Sequence, residues 1–383
     1  MKSVGEKMGK SFMKIRLIML SILILFTMYH EPISANELPP APNLVSEAAI
    51  LIDSNTGKVL YQKNAHQEMY PASITKIITA IIAIETQNLD DMVIASWDAV
   101  RAIGTRVYLL EDEEVQLRQL LHGLMVSSGN DAAIAIAEHI DGSVEAFAER
   151  MNDFVQNKVG VTASNFSNPH GLFEEEHVTT ASDMAKISAY AMKNETFREL
   201  VSTEYYDWVG EGWETRLYNH HPLTRGNDEI IGIKNGFVSM SGTTLVTAAK
   251  IDDTELISVT LKAPSRNAAA TDTMNLMDYG FANYETEWIS FEGEVELTHY
   301  VYPDVIPVTK RAGERLNYTI TESGIVFIHG EERLLDEVLL PKRPLVSTNF
   351  LINNSQMHMK VNEDKRLWSN WLIKTGLHFY RRR

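Results

Sequence analysis

Ser73-Ile74-Thr75-Lys76, running directly into Ile77-Ile78-Thr79-Ala80-Ile81-Ile82-Ala83-Ile84, is the stretch on which the reading of this chain turns. On a helix, residues three apart share a face, so this spacing sets a hydroxyl beside an amine. The run behind them is apolar nearly all round, which predicts a helix buried in a sizeable core rather than lying on its surface. A serine is a weak nucleophile until a neighbour takes its proton, and a desolvated lysine can be neutral enough to do so. Such a motif stands or falls with its context.

The 383 residues, 44% of them hydrophobic, suit about two domains with real cores. Residues 1–35 carry Lys2, Lys7, Lys10, Lys14 and Arg16, then an uncharged run from Leu17 to Tyr29, then Ile33-Ser34-Ala35. That is the form of a secretory signal peptide cleaved after Ala35, and the run is short for a membrane span of about 20 residues. The five bases, less Glu6 and Glu31, contribute +3 to the chain's net −16, so the remainder carries −19. Such an acidic body argues against nucleic acid as a partner. Cysteine is absent, which excludes disulfides, thiol catalysis and cysteine-ligated metals, and leaves stability to the cores.

Ala48 to Asp53 and Lys58 to Lys63 bracket Ser54-Asn55-Thr56-Gly57, a hairpin signal. Helical periodicity follows near Val115 to Val126, Ala132 to Ile140, Val144 to Lys158 and Asp183 to Met192, with Thr180 and Asp183 at capping-box spacing. Strands are expected again at Ile230 to Lys234, Thr243 to Lys250 and Leu256 to Leu261, and a helix from about Thr271 to Tyr284. One sheet built from both ends of this segment, with a helical insertion between, is the economical arrangement. Beyond Trp288, short β-prone runs at Val295 to Val301, Leu316 to Ile320 and Ile325 to Ile328 predict a small all-β domain. Val346 to Asp364 reads as a linker. Leu367, Trp368, Trp371, Leu372 and Phe379 then share one helical face, and from Lys365 onward there are six bases and no acids. An amphipathic, basic, Trp-containing helix of this kind suits an anionic membrane surface.

Two polar clusters give the opening motif its context. Val126-Ser127-Ser128-Gly129-Asn130-Asp131 falls between helical stretches, so it is expected as a loop on a rigid scaffold. Lys234-Asn235-Gly236 closes an apolar strand, where Gly236 permits close approach of a ligand to the backbone. With these three motifs in this order, about Ala48 to Tyr284 resembles the low-molecular-mass penicillin-binding proteins, the serine-type D-alanyl-D-alanine carboxypeptidases. Pro71-Ala72, Leu121 to Asp131, Asn168-Pro169-His170-Gly171-Leu172 and His177-Val178-Thr179-Thr180-Ala181 look like stretches of that family, as does the overall layout.

The resemblance implies an α+β fold: a β-lactamase/transpeptidase-like antiparallel sheet with a helical subdomain, then a small all-β domain and a C-terminal amphipathic helix. It divides the chain into a signal peptide (1–35), a serine DD-peptidase domain (36–286), a small β domain (287–345) and a linker with a membrane-anchor helix (346–383). By the same resemblance, Ser73 attacks the bond between the terminal D-alanines of a peptidoglycan stem peptide while Lys76 takes its proton. Lys234 would help hold Lys76 neutral and attract the substrate carboxylate; Ser128 would relay a proton to the departing amine, and Asn130 would orient the substrate amide and Lys76. The oxyanion donors would be the backbone N–H groups of Ser73 and Phe237. β-Lactams would acylate the same serine, at the outer face of the cytoplasmic membrane or in the wall.

One departure stands out, because the family pattern has Lys-Thr-Gly where this chain has Lys234-Asn235-Gly236. An asparagine NH₂ can still donate, but it is longer and differently directed, which predicts altered affinity for carboxylates and β-lactams. Two alternatives stay open: a β-lactamase, for which no Glu-x-x-Leu-Asn segment follows the Ser128 loop, and a non-catalytic wall-binding or β-lactam sensor. No cofactor is implied. His170, His177 and Glu174-Glu175-Glu176 lack metal-ligand spacing, and His220-His221, Trp208 and Trp213 read as packing or a loop near the site.

Overall fold

The computed structural model describes residues 40–291, 299–331 and 333–343. The signal peptide, linker and terminal helix expected from the sequence, and most of the strand expected over 295–301, lie outside the described residues. The chain opens with β1 (Ala48–Asp53) and β2 (Val59–Lys63), a short 3-10 turn at Ala72–Thr75 and α1 (Lys76–Thr86). A helical region follows: β3 (Met92–Ile94), α2 (Trp97–Val100), β4 (Glu114–Gln116), α3 (Leu117–Met125), α4 (Asn130–Asp141), α5 (Val144–Phe154), α6 (Ala181–Ala191) and α7 (Glu195–Ser202). A hairpin of β5 (Tyr205–Val209) and β6 (Glu214–Tyr218) leads to β7 (Ile230–Val238), β8 (Gly242–Ile251), β9 (Thr254–Ala263) and α8 (Arg266–Asn283).

Five strands form one antiparallel sheet in the order β2-β1-β9-β8-β7, so both ends of the segment meet in it, as the economical arrangement predicts. All six residues of β1 are buried. An antiparallel sheet with one wet face alternates apolar and polar residues; this one is covered on both faces, so its strands read as continuous apolar runs. Ala48, Ile50 and Ile52 join Val246, Ala248, Ile257 and Val259 in the core shared with α1, where Ile77, Ile78, Ile81 and Ile82 are fully buried. Ala49 and Leu51 turn the other way, onto Leu256 and onto Leu276 and Met277 of α8. A Cβ at Gly280 would meet Leu256 at 2.5 Å and Leu51 at 2.8 Å, so bare backbone lets α8 lie this close to the sheet.

Several boundaries moved. Ser73 sits in a 3-10 turn just ahead of α1, not inside the helix. α8 begins five residues earlier than the periodicity suggests, where the Ser265 hydroxyl accepts the Ala268 N–H as a cap, because the alanines of its first turns carry little pattern. β7 continues to Val238, so Lys234-Asn235-Gly236 lies within the strand rather than at its end. The Thr180 cap holds, its hydroxyl accepting from the Asp183 N–H at 3.0 Å.

Past α8, β10 (Tyr284–Ser290) pairs with β11 (Val305–Arg311), and β12 (Asn317–Ile320), β13 (Ile325–His329) and β14 (Leu334–Leu339) form a three-stranded sheet. These strands share their own core of Ile289, Ile306, Val308, Val326, Ile328 and Val338. Buried Asp53, at the end of β1, accepts hydrogen bonds from the hydroxyls of Thr286 and Thr309, each at 2.7 Å, and ties them to the main sheet.

Candidate active site

The Ser73 turn is held from three sides by groups far away in sequence. Thr244 on β8 donates its hydroxyl to the Pro71 carbonyl at 2.8 Å, and Thr79 on α1 donates to the Pro169 carbonyl at 2.7 Å. Gly236 faces the turn so closely that a Cβ there would lie 2.6 Å from the Ser73 nitrogen. Gly171, at φ +85°, packs its backbone on the Ala72 carbonyl, and Ala72 itself takes φ 52°, a strained conformation for a residue with a Cβ. Within this clamp Ser73 alone is partly exposed; Ala72, Ile74, Thr75 and Lys76 are buried.

Lys76 points its amine into this enclosure. Nζ lies 3.1 Å from Ser73 Oγ, 2.7 Å from Asn130 Oδ1 and 2.7 Å from the His170 carbonyl oxygen. Burial pushes its pKa well below the usual lysine range; the Lys234 charge pushes the same way, and Asp131 opposes both. A neutral amine has two N–H bonds and one lone pair. In that neutral form the two carbonyl oxygens would take the N–H bonds, and the lone pair would be left for Ser73 Oγ–H. The amide of Asn130 is oriented from both ends, since its Nδ2 donates to the Ile103 carbonyl at 2.6 Å.

Asn130 and Asp131 are the first residues of α4 rather than loop residues, and only Val126 to Gly129 connect α3 to it. The buried Asp131 carboxylate accepts from the backbone N–H groups of Val107 and Tyr108 at 3.0 and 2.8 Å, pinning the segment that carries the Ile103 carbonyl. Burial raises its pKa, and these backbone bonds work against the rise. Ser128 is nearly buried at φ 64°, and its hydroxyl makes no hydrogen bond with the described residues.

On β7, the sheet's edge strand, Lys234 and Gly236 are two apart and share the face turned to Ser73. Lys234 is 1% exposed, donates to the Asn235 carbonyl at 3.1 Å, and has its pKa pushed down to about 7 by burial and then by Arg266. Val238 N–H donates to Ser241 Oγ on the β8 side, so strand alternation leaves the Phe237 N–H on the open edge. Asn235 is half-buried, and its side chain bonds none of the other candidates. Ser73, Lys76 and Asn130 are thus joined directly, Gly236 by close backbone approach and Lys234 through the field it exerts on Lys76; the side chains of Ser128 and Asn235 make no hydrogen bond to any of them.

The sequence left other parts of the enclosure without a role. The His170 carbonyl is one, in a loop closed by Asn168, whose Oδ1 accepts from Gly171 N–H at 2.7 Å and whose Nδ2 donates to Glu174 at 2.7 Å. Arg266, which donates to the His220 carbonyl, is another. His220 does lie near the site: burial, Lys234 and Arg266 lower its pKa to about 4. Trp208 is core, and Trp213 donates to the Val107 carbonyl at 2.7 Å.

A partly exposed hydroxyl on a strained turn, with a desolvated amine beside it on a mixed helix and antiparallel-sheet scaffold, defines the class: a serine peptidase working by acyl transfer. The sequence profile of D-alanyl-D-alanine carboxypeptidases matches residues 35–265. D-alanyl-D-alanine carboxypeptidase DacA of Haemophilus influenzae is 31% identical over 372 residues, spanning 87% of this chain and 90% of that protein. DacF of Bacillus subtilis, a D-alanyl-D-alanine carboxypeptidase, is 32% identical over 248 residues, or 63% of each chain. Penicillin binding protein 5 from Haemophilus influenzae superposes with a TM-score of 0.69 at 26% identity, covering 79% of this chain and 98% of that one. The chain belongs to the D-alanyl-D-alanine carboxypeptidase family of serine peptidases.

Proposed function

We propose that the enzyme removes the terminal D-alanine from peptidoglycan stem peptides ending in D-Ala-D-Ala, through an acyl-enzyme at Ser73. The observation that carries this reading is the environment of Lys76, whose two carbonyl partners leave only its lone pair for the serine hydroxyl. As Ser73 Oγ bonds to the carbonyl carbon, its proton passes to Lys76 Nζ. The developing oxyanion meets the N–H groups of Ser73 and Phe237, and preorganised donors of this kind are worth about 3 kcal/mol each. Ser128, whose hydroxyl is unbonded, relays that proton from Lys76 to the departing D-alanine amine, which leaves Lys76 neutral again, and Asn130 orients the substrate amide as it orients Lys76. Lys234 and the Asn235 amide receive the substrate's terminal carboxylate. Water then hydrolyses the ester, Lys76 again serving as base. Penicillin presents the same carbonyl beside a carboxylate and acylates Ser73 in the same way.

The organisation belongs to the same proposal: export through residues 1–35, a peptidase domain over 36–286, a small β domain over 287–345, and residues 346–383 holding the enzyme at the outer membrane face. Among the described residues no helix is long and apolar enough to cross a membrane. Removing residues from Leu367 onward should release active enzyme from membranes, and retention of that signal-cleaved form would refute the anchor. The activity is tested by incubating purified protein with a D-Ala-D-Ala peptide and measuring free D-alanine. Release supports the carboxypeptidase; stable penicillin labelling without release makes the protein a sensor, and rapid penicillin turnover makes it a β-lactamase.

A further inference from the structure

Thr75 lies between Ser73 and Lys76 and is wholly buried, so it cannot meet substrate. Its hydroxyl lies 2.8 Å from Nε2 of His177, itself 1% exposed. The tautomer of that ring follows from its other side. Nδ1 accepts the Ser167 N–H at 3.0 Å, so in the neutral ring the single proton sits on Nε2 and is donated to Thr75 Oγ1. Burial above all lowers the histidine pKa, to about 4, which keeps the ring in that neutral form. Phe166 packs edge-on against it at 5.6 Å, and the bridges Asn165–Val178 and Met69–Thr179 fix the backbone just after it.

The same segment carries the His170 carbonyl that accepts from Lys76. One stretch of chain therefore grips the nucleophile turn twice, at the base and at the residue before it. We propose that His177 is a positioning residue for acylation, holding the Ser73–Lys76 turn in register through the Thr75 hydroxyl. This rests on the reading of Ser73 as nucleophile and Lys76 as base. Because the contact touches neither substrate nor the reacting atoms, its loss should lower the rate of chemistry and leave substrate binding alone.

The experiment measures kcat and KM for a D-Ala-D-Ala peptide, and the penicillin acylation rate, on purified soluble variants. His177→Ala and the near-isosteric Thr75→Val should each lower kcat about ten- to a hundred-fold with KM little changed, the range expected when a reacting group is misplaced by up to an ångström. His177→Gln, which keeps an N–H donor, and Thr75→Ser, which keeps the acceptor, should recover most of the rate. The double variant His177→Ala/Thr75→Val should be no slower than the slower single variant, since both remove one bond. Multiplied losses in the double variant, a change in KM instead of kcat, or no recovery in Thr75→Ser would overturn the proposal. If His177→Ala does not fold, the two Thr75 variants decide. Ser73→Ala separates the two levels: labelling that survives it sinks the nucleophile reading itself, whereas its loss alongside wild-type rates in the Thr75 variants sinks only the role of His177.

Discussion

Lys310, in the strands that follow α8, and the pair Lys76 and Lys234 beside Ser73 are all buried lysines, and the chain treats them in opposite ways. Lys310 meets Glu285 at 2.9 Å, Glu287 at 2.7 Å and the Glu314 carbonyl at 2.7 Å, and these partners outweigh its burial to raise its pKa. Among the described residues neither Lys76 nor Lys234 has a carboxylate within bonding distance, and both are pushed down. A cation that only has to hold strands together is given counter-charges. On the proposed mechanism Lys76 as base and Lys234 as anion receptor must be left unpaired, at a cost to stability that the packed sheet and helices around them absorb.

Replacing the base should break that contrast most severely. Lys76→Ala removes the acceptor for the serine proton, and kcat and penicillin acylation should each fall about 10³- to 10⁴-fold, which steady-state kinetics and a labelling time course would measure. A fall of less than tenfold would mean that another group takes the proton.

Lys234 sharpens the comparison through pH. Its charged form binds the substrate carboxylate, so in the free enzyme KM should rise as pH rises through about 7, while bound carboxylate pulls the proton back and leaves kcat less affected. Lys234→Met should raise KM and flatten this dependence. It should also alter stability with a definite sign. In the unfolded chain the amine keeps its proton up to the ordinary lysine range, but in the fold it loses it near 7. Between those values the unfolded chain binds more protons, so wild-type stability rises with pH. The methionine variant should lack that slope and melt higher at pH 6; a lower melting temperature there would contradict the burden assigned to Lys234.

Asn235→Thr should change KM and the penicillin acylation rate by several-fold and leave the fold intact, since no bond of the Asn235 side chain holds the strand; unchanged values in both would remove Asn235 from carboxylate recognition. The smallest effect belongs to the paired cation. Lys310→Met should shift stability by less than about 1 kcal/mol, as part-exposed ion pairs do, with kcat unchanged. A loss of activity would show that the later strands influence Ser73 after all.

The two regions were also unequally legible. Ser73, Lys76, Asn130 and Lys234 stood out because side-chain chemistry is written in residue letters, and the β1–β2 hairpin was visible in the apolar segments that bracket Ser54 to Gly57. The His170 carbonyl was not, because a backbone oxygen has no letter, and the Thr75–His177 bond joins residues 102 apart. Ser73 moved from helix to 3-10 turn because the left-handed Ala72 that forces this is set by Gly171 and Gly236, both distant in sequence. The β5–β6 hairpin went unread since its outward positions, among them Asp207 and Arg216, interrupt the apolar pattern with a cross-strand ion pair. In the later strands, short apolar runs marked β12 and β13, whereas Glu285 and Glu287 in β10, Pro307 in β11 and Asp336-Glu337 in β14 interrupt the pattern.

The pairing of Ser73 with an uncharged Lys76 is tested most directly by intact-protein mass spectrometry after brief exposure to penicillin, followed by peptide mapping. One penicilloyl group per chain is expected, on the peptide containing Ser73, absent from Ser73→Ala and formed at least a hundred-fold more slowly in Lys76→Ala. An adduct on any other residue, or equal labelling of the Lys76 variant, would contradict it.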